Sequence, residues 1–262
     1  MMASLRGLLP LLAVGIAVTA CGLLVAVGHQ HGDEQTEQSP STSVVVPSQS
    51  DGPREFGLPS ADMFGNRLET TSDRGGVALP QDSAQRPAAE SGPLYLISPP
   101  SGMMWQRGWG GAALGFSHSD GPTRVHDGIA SGFADTPQGA GLAAYDALGR
   151  TLAAPDGIWQ QVIAQRYLGG GQALMDGMAR SRRNNPAASK YVVVPDGFRI
   201  LPGFRPDFAV VEIAVRAHDG WASSTWPMVW VGDDWKVRVP DRVDDLWAST
   251  HLSSLAGFGV WK

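Results

Sequence analysis

Cysteine is all but missing from this chain. Of its 262 residues only Cys21 carries a thiol, and it lies inside an apolar run near the N-terminus. No internal disulfide can form, and no cluster of thiolates can hold zinc. Stability must therefore come from a packed core. A cationic excess is also lacking: Lys and Arg number 20 against 25 Asp and Glu. Direct nucleic-acid binding needs concentrated positive charge, so none is expected. No Gly-x-Ser-x-Gly elbow occurs. The glycine cluster at 108–115 is followed by no Lys-Ser/Thr pair, so it does not read as a nucleotide phosphate loop. None of these patterns calls for a cofactor.

What is present divides the chain by composition. Residues 8–27 read LLPLLAVGIAVTACGLLVAV, 20 residues without a charge. That is the length of a membrane-crossing helix. Residues 1–7 form a stub whose one cation is Arg6, and Asp33, Glu34 and Glu37 follow the apolar run. The positive-inside rule then places the stub in the cytoplasm and the remainder outside, as a single-pass cell-membrane protein. Val18-Thr19-Ala20-Cys21 is also similar to a bacterial lipobox. Cleavage there would make Cys21 a lipid-bearing anchor. Apolar residues continue through Leu23 to Val27, which a lipoprotein does not need, so the uncleaved helix is the favoured reading. A plain cleaved secretory signal is a third.

Residues 28–92 are rich in Ser, Pro, Gln, Gly and Glu. Such a segment buries too little apolar surface to offset chain entropy, so a mostly disordered tether is expected. One island interrupts it at 56–69, FGLPSADMFGNRLE, with Phe56, Leu58, Met63, Phe64 and Leu68. It is either a linker with scattered apolar residues or a short motif that docks on a partner or on its own domain.

Residues 93–262 read as an extracytoplasmic α+β domain, helices first and a curved antiparallel sheet after. A strand is expected at 94–97 and loop over most of 102–124. Thr136 is suited to cap a helix and Pro137 to its first position. That helix should reach about residue 152, with Ala140, Ala143, Ala144, Ala147 and Leu148 inward. Gly139 and Gly141 cost about 1 kcal/mol each in helix propensity; in return they let other atoms come close. Gly132, Phe133, Thr136, Pro137, Gln138, Gly139 and Gly141 are therefore read as a packing and interaction motif. The rival is an anion site at the helix start, contacted by Thr136 and Gln138. A second helix should carry Ile158, Trp159, Val162, Ile163 and Tyr167. A third, at 172–183, should turn Leu174, Met175 and Met178 inward.

Strands follow at 191–194, 198–201, 208–217, 221–231 and 234–239. Pro195-Asp196-Gly197, Asp219-Gly220 and Gly232-Asp233 are the turn signals. With Asp219-Gly220 as a two-residue turn, Ile213 faces Trp226, Val211 faces Met228, Ala209 faces Trp230, and Val215 pairs with Ser224. With Gly232-Asp233 as the next, Trp226 faces Val239, Met228 faces Val237, Trp230 faces Trp235, and Val231 pairs with Asp234. Both turns predict one apolar face, burying Trp226 and Trp230, with Glu212, Arg216, Thr225, Lys236 and Arg238 opposite.

Candidate chemistry is sparse. His118, Asp120, His126 and Asp127 are metal-ligand types, but their spacing matches no zinc motif. Asp135 and Asp207 are the carboxylates that an acid–base site in a cone-shaped fold would use. Arg180, Arg182 and Arg183 close the third helix, where cations suit the dipole. Neither a catalytic group nor a metal ligand is assigned.

Gly121-Pro122, the run Gly132-Phe133-Ala134-Asp135-Thr136-Pro137-Gln138-Gly139-Ala140, Asp234-Trp235-Lys236-Val237 and Gly257-Phe258-Gly259-Val260-Trp261 are moderately specific, as is Asp62-Met63-Phe64-Gly65-Asn66 upstream. Over most of 56–262 the chain resembles a family of actinobacterial membrane-anchored proteins of conjugative elements. Their outer domain is similar to the bitopic assembly subunit of type IV secretion systems. The resemblance implies a cone of the nuclear-transport-factor-like, cystatin-like kind. It also implies a non-enzymatic scaffold role beside other envelope or transfer-apparatus proteins. A His often stands in that family where this chain has Asp135, so no invariant catalytic group is implied there. The competing readings are an anchored small-molecule-binding protein or enzyme on the same fold, and an envelope lipoprotein.

Overall fold

The structure, a computed structural model, describes residues 56–262. The expected stub, the apolar run with Cys21 and the first part of the tether lie outside the described residues. Among the described residues no helix is long and apolar enough to cross a membrane.

Three hairpins come first: β1 (Ser60–Ala61) with β2 (Arg67–Leu68), β3 (Met104–Arg107) with β4 (Ala113–Phe116), and β5 (Arg124–His126) with β6 (Ile129–Ser131). Helices α1 (Pro137–Ala153), α2 (Ile158–Arg166) and α3 (Gly171–Asn184) follow, with the short strand β7 (Tyr167–Leu168) between the last two. Then come β8 (Gly197–Ile200), β9 (Phe208–Ala217), β10 (Gly220–Trp230), β11 (Trp235–Arg238) and β12 (Ser249–Leu252). Six strands form one sheet in the order β7-β11-β10-β9-β8, with β12 also on β10. Only the β7–β11 pair in this sheet is parallel. One edge of β10 runs along β9; the other takes β12 at Trp221–Ser224 and β11 at Met228–Trp230. The coarse expectation, three helices with a mainly antiparallel sheet, holds.

Helix α1 lies against β4, β9, β11 and α2. Of its 17 residues 16 are buried, so the expected one-sided stripe is a helix covered all round. Its small side chains fit that position. An Ala- and Gly-rich cylinder lets neighbours approach on every face.

The β10–β11 register is as expected, with Met228 opposite Val237 and Trp230 opposite Trp235. Val231 N–H donates to Asp234 O (2.9 Å) across the turn. The β9–β10 register differs by two residues. Trp226 faces Val211, Met228 faces Ala209, and Val215 pairs with Ala222 and not Ser224. The turn is His218-Asp219, and Gly220 already belongs to β10. Gly220 is needed elsewhere: a Cβ there would stand 2.4 Å from Leu252 O of β12. A slip of two keeps side-chain parity. Val211, Ile213, Trp226, Met228, Trp235 and Val237 are all buried as the pattern requires, while Trp230 is half-buried.

Other expectations fail for local reasons. Residues 94–97 lie at the end of a 3-10 segment, Ala89–Leu96, and not in a strand. The expected loop at 102–124 contains the β3–β4 hairpin, whose second strand is buried throughout. No strand forms at 191–194. The carbonyl of Val192 accepts from Ala113 N (2.7 Å), that of Val193 from the Tyr145 hydroxyl, and Val194 N–H donates to Asp62 Oδ2 (2.9 Å). Three separate partners take the place of a ladder.

The domain also starts well before residue 93. Leu68 and Leu79 are buried, and Glu69 exchanges backbone hydrogen bonds with β3, to Trp105 O and from Arg107 N (2.8 Å each). The buried amide of Gln106 serves Val77 on both sides, accepting its N–H (2.7 Å) and donating to its carbonyl (2.8 Å). A polar composition signals disorder only when the fold offers such groups no partners; here it does.

Candidate functional site

The expected interaction motif lies where the hairpin β5–β6 leads into α1. Thr136 caps the helix: its Oγ1 accepts from Gly139 N–H (3.0 Å) and donates to Asp120 Oδ1 (2.5 Å). Asp120 is fully buried and also accepts from Ser119 Oγ (2.5 Å). A buried carboxylate of the chain itself thus holds the capping hydroxyl in place. Gln138, the second residue of the helix, is buried, and its Nε2 donates to Tyr95 O (2.7 Å) and Ser98 O (3.1 Å). Pro137 fills the first position, where no N–H is required. A Cβ on Gly139 would stand 2.0 Å from Ala134 O, and one on Gly141 would stand 2.5 Å from the Trp261 ring.

Gly132 and Phe133 are fixed by Asp234, far along the chain. Its Oδ2 accepts from Gly132 N–H (2.8 Å) and from Arg166 Nη1 (2.7 Å). Its Oδ1 takes the N–H of Trp235 (2.8 Å) and, at 3.4 Å, that of Phe133. The Arg166 guanidinium lies 5.0 Å from the centre of the Phe133 ring. Trp235 Nε1 closes the knot on Ala134 O (2.7 Å). One carboxylate therefore ties the entry to α1, the end of α2 and the start of β11 together.

The upstream docking motif packs on its own domain. Phe56 packs on the small cluster of Leu79, Leu114 and Phe116, and Leu68 enters the main core at 0 % exposure. Asp62 orders the turn between them. Its Oδ1 accepts from the backbone of Phe64 and Asn66 (2.9 Å each), its Oδ2 from Asn66 Nδ2 (2.8 Å) and Val194 N–H. Met63 and Phe64 stay at the tip, Met63 56 % exposed, with Arg216 lying 5.6 Å from the Phe64 ring centre.

The profile of a family described as a domain of unknown function, DUF8175, matches residues 69–260. The chain belongs to this family. No curated protein and no solved structure matches it. The DUF8175 match takes in α1, the Asp234 knot and the whole six-stranded sheet.

The remaining candidates in this DUF8175 domain are not brought together. Asp135 is exposed beside the cap, and Asp207 is exposed and paired with Arg205 (3.2 Å). His118 Nδ1 donates to Pro80 O (2.9 Å), and the exposed His126 ring lies 3.2 Å from the carboxylate of its exposed neighbour Asp127. Among the described residues no three His, Cys, Asp or Glu side chains are grouped to hold a metal. Arg180 and Arg183 are exposed. Arg182 instead reaches back to the end of α1 and donates to the carbonyls of Thr151 (2.8 Å), Leu152 (2.7 Å) and Ala154 (2.6 Å).

Two features have no simple signal in the sequence. Arg150 is fully buried and ion-paired to Asp146 one turn away (2.6 Å), a spacing that marks the pair but not its burial. Its Nη1 also donates to Gly75 O and Gly128 O (2.8 Å each), clamping two loops to the helix. A mainly apolar cleft of about 20 Å³, lined by residues including Tyr145, Tyr191, Ile213 and Val215, has room for about one water and not for a metabolite. Burial pushes the Tyr145 phenol well above its usual pKa, with the Asp62 charge adding to the shift.

Proposed function

We propose that this DUF8175 chain is a non-enzymatic structural subunit, membrane-anchored and extracytoplasmic, in a conjugation or type IV secretion-like apparatus. The observation that carries the non-enzymatic part is the start of α1. Its donors are spent on the chain itself: Thr136 Oγ1 on Asp120, Gln138 Nε2 on the carbonyls of Tyr95 and Ser98, with Gly139 N–H closing the cap on Thr136, while the buried Gln138 Oε1 has no protein partner among the described residues. The same residues that look like a site in sequence thus serve to fasten a buried helix. The charge-free run at 8–27 supports the anchor. The resemblance described above supports the apparatus and the cone-shaped form of the sheet, with other envelope or transfer proteins as partners.

The test is deletion of the gene in a donor cell. DNA transfer should fall and should return with the full chain, but not with a chain lacking residues 8–27. Unchanged transfer in the deletion strain would overturn the assignment. Loss of transfer in a Gln138→Ala protein that melts normally would instead mean that the helix start binds a ligand.

A further inference from the structure

Residues 253–262 leave β12 and run to β8, an edge strand of the sheet. There Gly259 and Phe198 exchange two backbone hydrogen bonds (2.8 and 2.9 Å). A Cβ on Gly259 would stand 1.7 Å from Ile97 O, so the segment lies flat against residues 95–98. Trp261 then enters the core. Its ring stacks on Phe198 with centroids 4.3 Å apart and meets Gly141 of α1. Its Nε1 donates to Ile97 O (3.2 Å), and its carbonyl accepts from Trp105 Nε1 (2.7 Å). The stretch behind this anchor is different. Ser253, Ser254, Ala256 and Gly257 are exposed, and Gly257 has φ +79°.

We propose that the groove between β8, residues 95–98 and Gly141 is a peptide-docking site that also accepts residues 258–262 of a second copy of this chain. Two copies would then join by exchanging these segments. The occupant follows from the fit. The groove demands a glycine against Ile97 O and, two residues on, an aromatic ring flat on Phe198. Every copy of the chain carries that peptide. Exchange reproduces each contact in trans, so it creates no new interface and loses none. The stretch at 253–257, exposed except at the half-buried Leu255 and held by one turn bond from Phe258 N–H to Leu255 O (3.0 Å), supplies a hinge free of ladder bonds. The β8 edge stays covered in both forms, which suppresses open-ended strand pairing. The proposal goes beyond the functional reading above and requires neither the anchor nor the apparatus.

A disulfide reports the exchange. A Cβ built on Gly197 lies 2.9 Å from Phe258 Cβ, a small shift from the ~3.8 Å that a disulfide spans. In a Cys21→Ser background, one tagged full chain carries Gly197→Cys and a differently tagged one carries Phe258→Cys. Mixed, concentrated and oxidised with diamide, they should give a covalent heterodimer on a non-reducing gel. Adding Trp261→Ala to the Phe258→Cys chain should abolish it, and a tenfold excess of cysteine-free chain should reduce it several-fold. The proposal is overturned if the chain carrying both cysteines closes its own disulfide while the mixed single variants give no heterodimer. It is equally overturned if the heterodimer survives Trp261→Ala or ignores the competitor, because collision and not exchange would then make it.

Discussion

Gly141 of α1 lies directly against the indole of Trp261: a Cβ on the glycine would come within 2.5 Å of Cη2 and 2.8 Å of Cζ3. The contact is between a rigid ring and a helix backbone, so neither side can yield cheaply. Gly141→Leu should therefore overpack the site and destabilise the domain by about 1–3 kcal/mol. Combining it with Trp261→Ala should cost less than the two changes summed, since residues in contact couple. Urea denaturation of the four proteins checks this, and simple additivity would refute the contact.

Thr136→Ala removes both a cap and a hydrogen bond to a buried carboxylate. The cap alone is worth about 1 kcal/mol. A buried acceptor left short of a partner adds about 1–3 kcal/mol. Thr136→Ser keeps both bonds and should lie close to the parent. Equal losses for the two variants, in the same denaturation assay, would show that the hydroxyl is not what matters.

The tether motif offers a contrast within a few residues. Leu68 is fully buried, whereas Leu58 is 90 % exposed. Leu68→Ala should cost about 2–5 kcal/mol, and Leu58→Ala about 0.5 kcal/mol or less. Thermal melts of the two variants separate a docked strand from a loose tether.

Alkaline stability should report the buried phenols. Burial raises the pKa of both Tyr145 and Tyr167 above the ordinary tyrosine value. The unfolded chain sheds these protons from about pH 10, while the folded domain keeps them. The unfolded state therefore binds fewer protons there, and stability falls as pH rises. Below about pH 9 these two groups should contribute no slope. Above pH 10 each should contribute up to about 1.4 kcal/mol per pH unit. Tyr145→Phe should remove one share of that slope. Phenolate absorbance followed against pH should show both phenols ionising together with unfolding.

Much of the sheet is legible in sequence because two tight turns set the parity of its strands. Gly232 and Asp233 both have positive φ, the geometry that Gly-Asp announces. Asp219-Gly220 makes the same announcement, but there the glycine serves the approach of β12, which no local pattern reveals. Asp127-Gly128 is a third pair with positive φ at both residues and closes the β5–β6 hairpin. It lies between Val125-His126 and Ile129-Ala130, so the signal is present and is masked only by the glycines that follow. The Thr136 cap and the close fit of Gly139 and Gly141 are also legible, since composition there answers to local geometry. Asp234, Asp120 and Gln106 are not. Each binds residues distant in sequence, and nothing local distinguishes such a buried polar side chain from a solvated one.

Helix α1 is covered on all sides, and its covers are made at different times. Gly75, Trp105 and Leu114 precede it on the ribosome, but Val192 and Trp261 follow. At about 5–20 residues per second, the indole that closes over Gly141 emerges on the order of ten seconds after the helix is complete. During that interval a small-residue helix, unable to hide itself, is open to chaperones and proteases. A cluster of slow codons anywhere between residues 154 and 261 would lengthen the exposure. It would lower the yield of this protein without altering a single residue of the product.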